Sequence, residues 1–291
     1  MEFTLHRELY RDVPPEQKNR FFDFAGSFRL KSMETEGSVF RYFDGGKEGN
    51  PVLLVCTGGL KHPVFSYGII DLFLEDFRVI APVYPPEPNL ERLLRGINRV
   101  LLELDIREAH CIGSSWGGCI AQSYAHLFPS SVKKLVLANT GMPSGFLYRF
   151  ILRRYIKGLK EQKSAALLDG YRRQVLKLLS VPAEQAELWK AVIADLFPVL
   201  FTFRDYETLI RNQLDYIEDF VPEIAGNKSS IPCLVITSAN ETAGNRKMRK
   251  NLLSSYRSCG LKEFLDGGHA PPILYPEEYR EAVTSFLREA T

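Results

Sequence analysis

The sequence lacks the features of disulfide-linked, metal-binding and membrane-spanning proteins. It has only five cysteines in 291 residues, an odd number without paired spacing or a C-x-x-C motif, so we expect neither a disulfide framework nor a metal site. No apolar run approaches the ~20 residues that cross a bilayer. Residues 1–20 are polar and charged, unlike a signal peptide. These absences predict a reducing, cytoplasmic compartment and no membrane span.

Neither sign of charge is in clear excess. The 37 Lys and Arg residues nearly balance 35 Asp and Glu residues, leaving a net charge of +2, which argues against bulk attraction to nucleic acid or to a membrane. Apolar residues make up 45% and charged residues 25%, as in an ordinary globular protein with a real core. No motif implies a metal, nucleotide or other cofactor, and no signal for an oligomeric state is present.

Apolar runs alternate with helical patterns along most of the chain. An antiparallel pair is predicted at 28–34 and 38–43, before the Asp44-Gly45-Gly46 turn. Six further strands are predicted at 51–56, 77–81, 109–112, 134–138, 232–237 and 261–265. Strand and helix alternation predicts an α/β fold with a doubly wound, mostly parallel sheet.

The alternation is interrupted at 142–228, which is rich in helix formers. We therefore predict a core formed by 1–141 and 229–291, with 142–228 inserted as a helical cap. Residues 142–180 carry nine Lys and Arg against two Asp and Glu, whereas 181–228 carry four against nine. These charges are either two attracting cap faces or solvated surface. The cap aromatics are either a pocket lining or cap core: Phe146, Tyr148, Phe150 and Tyr155.

The most informative stretch is Gly113-Ser114-Ser115-Trp116-Gly117-Gly118, which fits the pattern G-x-S-x-G. A predicted strand precedes it and a predicted helix, at 119–128, follows it. In that context Ser115 stands on a strained turn that exposes its hydroxyl, and the flanking glycines allow strand and helix to approach. Ser115 is the candidate nucleophile.

A serine hydroxyl needs a base, and the base needs an orienting acid. Ligands bind at the carboxyl ends of parallel strands, where His269 follows the strand at 261–265 and Glu241 follows the strand at 232–237. The order Ser, Glu, His along the chain is that of a nucleophile-elbow hydrolase. We predict His269 as the base and Glu241 as the acid, with helix capping as the other interpretation of Glu241.

Two backbone amides are needed to stabilise an oxyanion. The Trp116 amide, at the start of the helix after Ser115, is the first candidate. The second should come from Thr57-Gly58-Gly59-Leu60, called the glycine loop below, because glycines let the backbone approach a ligand closely. Gly58 is predicted, with Gly59 as the alternative and a simple turn as the structural interpretation.

With these residues placed, the chain resembles the α/β-hydrolases over about 38–141 and 231–287. The motifs that carry the resemblance are Cys-Thr-Gly-Gly at 56–59, Arg-Val-Ile-Ala-Pro at 78–82, Gly-Ser-Ser-Trp-Gly-Gly at 113–118, and Gly-Gly-His at 267–269. Residues 77–85 are also similar to maspardin-type members of that fold. The chain departs from the usual pattern at Cys56-Thr57, at 83–88 and at Glu241, where the family usually has His-Gly, an Asp-containing segment and Asp.

The resemblance implies a serine hydrolase that cleaves a carboxylic ester or related acyl bond of a small molecule through an acyl-enzyme on Ser115. It leaves open a non-catalytic binding or scaffold protein, as the maspardin similarity allows. It also leaves open aminopeptidase, C–C hydrolase and acyltransferase chemistry on the same triad. The Thr57-Gly58-Gly59-Leu60 loop differs from the His-Gly-Gly-Pro-Gly loop usual in proline-type aminopeptidases.

Overall fold

The computed structural model describes residues 3–35, 37–143, 145–179, 183–242, 244 and 246–289. Within them one sheet has eight strands: β1 (Leu30–Thr35), β2 (Ser38–Gly45), β3 (Val52–Cys56), β4 (Arg78–Pro82), β5 (Ala109–Ser114), β6 (Val132–Ala138), β7 (Cys233–Ser238) and β8 (Cys259–Phe264). All eight predicted strands are present, with ends displaced by at most two residues. The predicted α/β class is confirmed.

The same residues form twelve α-helices. They are α1 (Pro15–Ser27), α2 (Tyr67–Phe73), α3 (Leu90–Glu103), α4 (Trp116–Leu127), α5 (Phe146–Gly158), α6 (Ser164–Leu178), α7 (Ala183–Leu200), α8 (Phe203–Asp215), α9 (Val221–Gly226), α10 (Arg246–Ser254), α11 (Pro271–Leu274) and α12 (Pro276–Arg288). None of the described helices combines the length and the apolarity needed to cross a bilayer.

Strand order in the sheet is β1-β2-β4-β3-β5-β6-β7-β8. The pairs β1–β2 and β2–β4 are antiparallel, and the remaining neighbours are parallel. The order reverses between β3 and β5, and ligands bind beside such a switch point at the carboxyl ends of the strands. The register places Cys56 opposite Gly113 and Ser114 opposite Ala138, so the loops after β3, β5 and β6 leave the sheet at one edge.

Alternate strand residues face two separate apolar layers. In β3, Leu54 and Cys56 pack with the buried residues of α3 and α4, whereas Leu53 and Val55 pack with those of α1, α2 and α12. Successive side chains of a strand point to opposite faces, so a strand buried on both sides is apolar throughout. Helices on both faces make the sheet doubly wound, as predicted.

Between β6 and β7 the described chain forms helices only, α5 to α9, with a π-helical turn at Tyr216–Phe220 between the last two. Residues of α6, α7 and α8 lie over the carboxyl edge of the sheet, where they line the cavities described below. The boundaries of the cap, 142–228, and of the core, 1–141 and 229–291, stay a prediction.

The described residues of the polar segment 1–20 form helical structure and bury some of their side chains. Residues Arg7–Tyr10 form a 3₁₀ turn and α1 follows. Tyr10 and Phe21 are fully buried, and Phe24 is nearly so. The apolar residues of α1 recur one helical turn apart, and that spacing buries one face of the helix although the segment as a whole is polar.

Candidate active site

Ser115 lies on the sharp turn between β5 and α4. Its backbone angles, φ 55° and ψ −124°, lie outside the common regions for a side-chain-bearing residue, at a cost of ~1–3 kcal/mol. A Cβ on Gly113 would lie 2.2 Å from the Gly117 carbonyl oxygen, and a Cβ on Gly117 would lie 2.1 Å from the Cys56 carbonyl oxygen. The turn is therefore held by backbone contacts that no side chain could enter.

The backbone of Ser115 is anchored on both sides. Its amide donates to the Ala138 carbonyl oxygen at 3.0 Å, and its carbonyl oxygen accepts from the Gly118 amide at 3.0 Å. The Ser115 hydroxyl makes no hydrogen bond within the described residues. The strained turn is thus fixed by β6 and α4, and the hydroxyl is left free for a ligand.

His269 and Glu241 meet at the ends of β8 and β7. The Glu241 Oε2 atom lies 2.7 Å from His269 Nδ1, and both side chains are about nine-tenths buried. A carboxylate at this distance holds the proton on Nδ1 and leaves Nε2 as the ring's acceptor. Glu241 therefore contacts the ring of His269 directly.

The other ring nitrogen of His269 faces the cavities that Ser115 lines. His269 Nε2 is buried and has no hydrogen-bond partner within the described residues, and both His269 and Ser115 line each of the two cavities. No hydrogen bond joins Nε2 to the Ser115 hydroxyl. In enzymes without substrate this contact is often long and tightens in the Michaelis complex.

Asn139, which the sequence pattern does not predict as a site residue, also contacts the carboxylate of Glu241. It follows β6 with φ 44°, a left-handed conformation that asparagine tolerates well. Its Nδ2 donates to Glu241 Oε2 at 2.6 Å and to the Gly268 carbonyl oxygen at 2.9 Å. An asparagine directly after a buried strand of this sheet was the available signal.

Asn240 anchors the loop that carries His269. The Gly268 amide donates to Asn240 Oδ1 at 2.8 Å, and Gly268 has φ 54°. A Cβ on Gly267 would lie 2.6 Å from Ser238 Oγ, so only glycine fits there. The loops after β6, β7 and β8 are thus joined by hydrogen bonds around one imidazole.

The predicted oxyanion donors also lie beside Ser115. Gly58 and Trp116 line the same cavity as Ser115 and His269. Neither amide donates a hydrogen bond to another group in the described part of the chain. Gly59, the alternative donor, packs against α6. A Cβ on Gly59 would lie 2.3 Å from the Tyr171 hydroxyl oxygen.

Lys61 links the glycine loop to α8. Its amide donates to the Gly58 carbonyl oxygen at 3.0 Å, and its backbone has φ 63°. The Lys61 side chain is only 4% exposed, with Nζ 3.3 Å from Asp205 Oδ1 at the start of α8. Burial lowers the pKa of Lys61, and the Asp205 carboxylate opposes that shift.

Two cavities, of 510 and 350 Å³, meet at the candidate nucleophile. Four residues line both of them: Ser115, Trp116, Gln213 and His269. Four charged side chains line the larger cavity near its α10 and β8 wall: Glu241, Arg246, Arg249 and Glu263. Lys61, paired with Asp205, lines the smaller cavity. The smaller cavity has an apolar wall that includes Phe65, Ile69, Leu178, Trp189, Ile193 and Ile273. A substrate bound at Ser115 can therefore extend in two directions, one apolar and one polar.

Burial shifts the pKa of two other candidate reactive groups in these walls, His62 and Cys119. His62 lines the smaller cavity, but burial, with a smaller effect of Arg41, lowers the pKa of His62 to about 3. Cys119 lines the larger cavity, and burial raises the pKa of its thiol to about 12. His6, His110 and His126 line neither cavity. Within the described ranges no group of three or more His, Cys, Asp or Glu residues could hold a metal ion.

Two known proteins with similar sequences are named as hydrolases. Epoxide hydrolase 4 of Homo sapiens is 29% identical over 142 residues, which cover 44% of this chain and 38% of that protein's length. The 2-hydroxy-6-oxononadienedioate/2-hydroxy-6-oxononatrienedioate hydrolase of Escherichia coli O81 (strain ED1a) is 24% identical over 293 residues, covering 91% of this chain and 97% of that protein.

Similarity to solved structures concerns the fold. The crystal structure of the enol-lactonase from Burkholderia xenovorans LB400 superposes with a TM-score of 0.70 at 19% identity, covering 89% of this chain and all of that one. The family model of the alpha/beta hydrolase fold matches residues 51–220, from β3 through the nucleophile turn and into the helices after β6. This protein therefore belongs to the alpha/beta hydrolase family.

Proposed function

We propose that this protein is a serine hydrolase that cleaves a carboxylic ester, or a related acyl bond, of a small molecule. Ser115 is the nucleophile, His269 the general base and acid, and Glu241 the carboxylate that orients His269. The Gly58 and Trp116 amides stabilise the oxyanion. The observation that carries the proposal is the imidazole of His269, paired with Glu241 through Nδ1 while Nε2 is unpaired beside the cavities that Ser115 lines.

The proposed reaction follows from these positions. The Ser115 oxygen attacks the carbonyl carbon, its proton passes to His269 Nε2, and the tetrahedral oxyanion accepts hydrogen bonds from the two amides. The intermediate collapses as the C–O bond breaks, and Nε2 returns the proton to the departing alcohol. A water molecule, deprotonated by Nε2, then attacks the acyl-enzyme and releases the acid and the free serine.

The most direct test is labelling with a fluorophosphonate probe, which reacts with activated serines. We expect stoichiometric labelling that disappears in Ser115→Ala and is strongly slowed in His269→Gln. Absence of labelling in the folded wild-type protein would overturn the proposal. It would favour the alternative drawn from the maspardin similarity, a binding or scaffold protein without turnover.

A p-nitrophenyl ester series of increasing acyl length then tests the substrate range. The apolar wall of the 350 Å³ cavity supports preference for short to medium acyl chains, since a longer chain would need more buried apolar space. Rates that rise steadily to the longest acyl chains would contradict this preference without affecting the nucleophile.

A second candidate is hydrolysis of a C–C bond in an oxo-dicarboxylate. Its support is the Escherichia coli hydrolase named above, whose similarity spans most of both chains, together with Arg246 and Arg249 in the wall of the larger cavity. The 2-hydroxy-6-oxononadienedioate named for that relative is the substrate to assay. Turnover of this compound well above that of any p-nitrophenyl ester would favour the second candidate.

A further inference from the structure

Helix α5 presents large apolar side chains to solvent. Phe146 is 76%, Phe150 52% and Ile151 56% exposed. The Phe146 and Phe150 rings stack on each other one turn apart, with centroids 6.2 Å from each other. Neither ring lines either cavity, so the interpretation of these two aromatics as pocket lining or cap core is wrong. Exposed aromatic clusters of this kind mark interaction surfaces.

Two cations lie on the same side of α5. Arg154 and Lys157 follow Phe150 by one and two turns, are exposed, and have no carboxylate partner within the described residues. The neighbouring Arg153 pairs with Glu218 at 2.6 Å and is left out of the set. Phe146, Phe150, Ile151, Arg154 and Lys157 are called the α5 outer face below. It combines exposed aromatics with unpaired positive charge along one helix.

This composition favours one kind of partner over a second copy of the chain. A two-fold dimer through this face would bring Arg154 and Lys157 of both copies into one interface, and α5 has no acidic residue to neutralise them. An anionic lipid surface instead complements both components, because the aromatics enter the interfacial region while the cations bind the headgroups. Helices that lie in a bilayer surface have this arrangement.

We infer that the α5 outer face docks this protein onto an anionic lipid bilayer. Tyr148, on the same helix, lines the larger cavity, so α5 lies between that cavity and the docked surface. The inference goes beyond the proposed hydrolysis and does not depend on it, because binding can be measured with Ser115→Ala. One helix with three exposed apolar side chains predicts reversible surface binding.

The test is flotation of the full chain, as Ser115→Ala, with phosphatidylcholine vesicles that contain about one-third phosphatidylglycerol, against vesicles of phosphatidylcholine alone. We expect binding to the anionic vesicles that weakens at high salt. Phe146→Ser/Phe150→Ser and Arg154→Glu/Lys157→Glu should each lower the partition coefficient by about tenfold or more. Circular dichroism checks that each variant is folded.

Matched controls come from other exposed surfaces. Lys247→Glu/Lys250→Glu reverses two exposed cations with the same three-residue spacing on α10, and Val39→Ser/Leu265→Ser removes two exposed apolar side chains. Both control variants should bind as the parent does. Equal loss in the controls, equal binding to neutral vesicles, or no vesicle binding at all would overturn the inference. So would a dimer that dissociates in Phe146→Ser/Phe150→Ser without vesicle binding, because the face would then be a self-interface.

Discussion

The side-chain amide of Asn139 lies 2.6 Å from Glu241 Oε2, the same oxygen that faces His269 Nδ1 at 2.7 Å. One carboxylate oxygen thus has two partners, from the loops after β6 and β8. Because Asn139 Nδ2 also bonds the Gly268 carbonyl oxygen, the acid, the base and the base's loop are joined through one amide. Each part of this arrangement can be removed separately.

Glu241→Gln preserves the size of the side chain and removes its charge. If Glu241 orients His269 and stabilises its cation, kcat for a p-nitrophenyl ester should fall by about 10³–10⁴-fold. Glu263→Gln, which neutralises another carboxylate of the larger cavity, should change kcat by less than about threefold. Near-wild-type turnover by Glu241→Gln would assign the acid to another residue.

Asn139→Gly tests a positioning role, and glycine is chosen because the φ of 44° would strain alanine. We expect kcat to fall by about tenfold with little change in KM, since one hydrogen bond to a charged group is lost. Lower stability with kcat and KM both unchanged would leave Asn139 only a structural role.

Gly117→Ala should destabilise the protein by about 3 kcal/mol or more, because the new methyl would overlap the Cys56 carbonyl oxygen and backbone cannot move away cheaply. Gly170→Ala is the matched control, inside α6 with no atom within 4 Å of the new Cβ. It should stabilise by about 1 kcal/mol. Urea unfolding measures both changes, and similar free energies for the two variants would contradict the predicted contact.

Asp205→Asn should cost about 3 kcal/mol of unfolding free energy, because it leaves the buried Lys61 cation without its partner. The double variant Lys61→Met/Asp205→Asn should be more stable than Asp205→Asn alone, since no charge then stays buried. Burial already lowers the pKa of Lys61, and loss of Asp205 should lower it further. A double-mutant cycle in urea checks the coupling, and additive costs would show that the two side chains act independently.

His6 should make stability depend on pH. Its Nδ1 lies 2.6 Å from Asp195 Oδ1, and the hydrogen bond and charge of Asp195 raise the pKa of His6 above 6.5, with Glu8 contributing in the same direction. Because the folded state favours the charged ring, this stabilisation is complete below pH 6.5 and is lost as pH rises through the folded value. The difference in urea midpoint between wild type and His6→Gln should shrink from pH 5.5 to pH 9. Asp195→Asn should remove this pH dependence, and a difference that grows with pH would contradict the sign.

The sequence predicts the central chemistry because local patterns determine it. The G-x-S-x-G pattern around Ser115 is contained in a few consecutive residues, so the turn can be predicted before the rest of the fold is known. Glu241 and His269 each follow a recognisable strand, and parallel strands end at a common edge, so their proximity follows from the fold class.

Other parts of the site depend on contacts that the sequence pattern does not contain. The role of Asn139 arises because β6 lies between β5 and β7 in the sheet, an order that periodicity does not reveal. The outward direction of Phe146 and Phe150 depends on which side of α5 packs against α8, and aromatic content alone does not determine it. In α1 the spacing of the apolar residues indicates a buried helix face, but the polar composition of the segment conceals it.

A Cβ on Gly117 would lie 2.1 Å from the Cys56 carbonyl oxygen and 2.7 Å from the Thr57 carbonyl oxygen, so the main chain at the start of α4 lies directly against the main chain where β3 meets the glycine loop. A shift of one segment toward the other would bring the two backbones into overlap. Attacking oxygen and amide donors should therefore keep their mutual spacing when side chains of the surrounding walls are exchanged. Substitutions in the cavity walls can therefore change the substrate range without displacing the nucleophile or the amide donors.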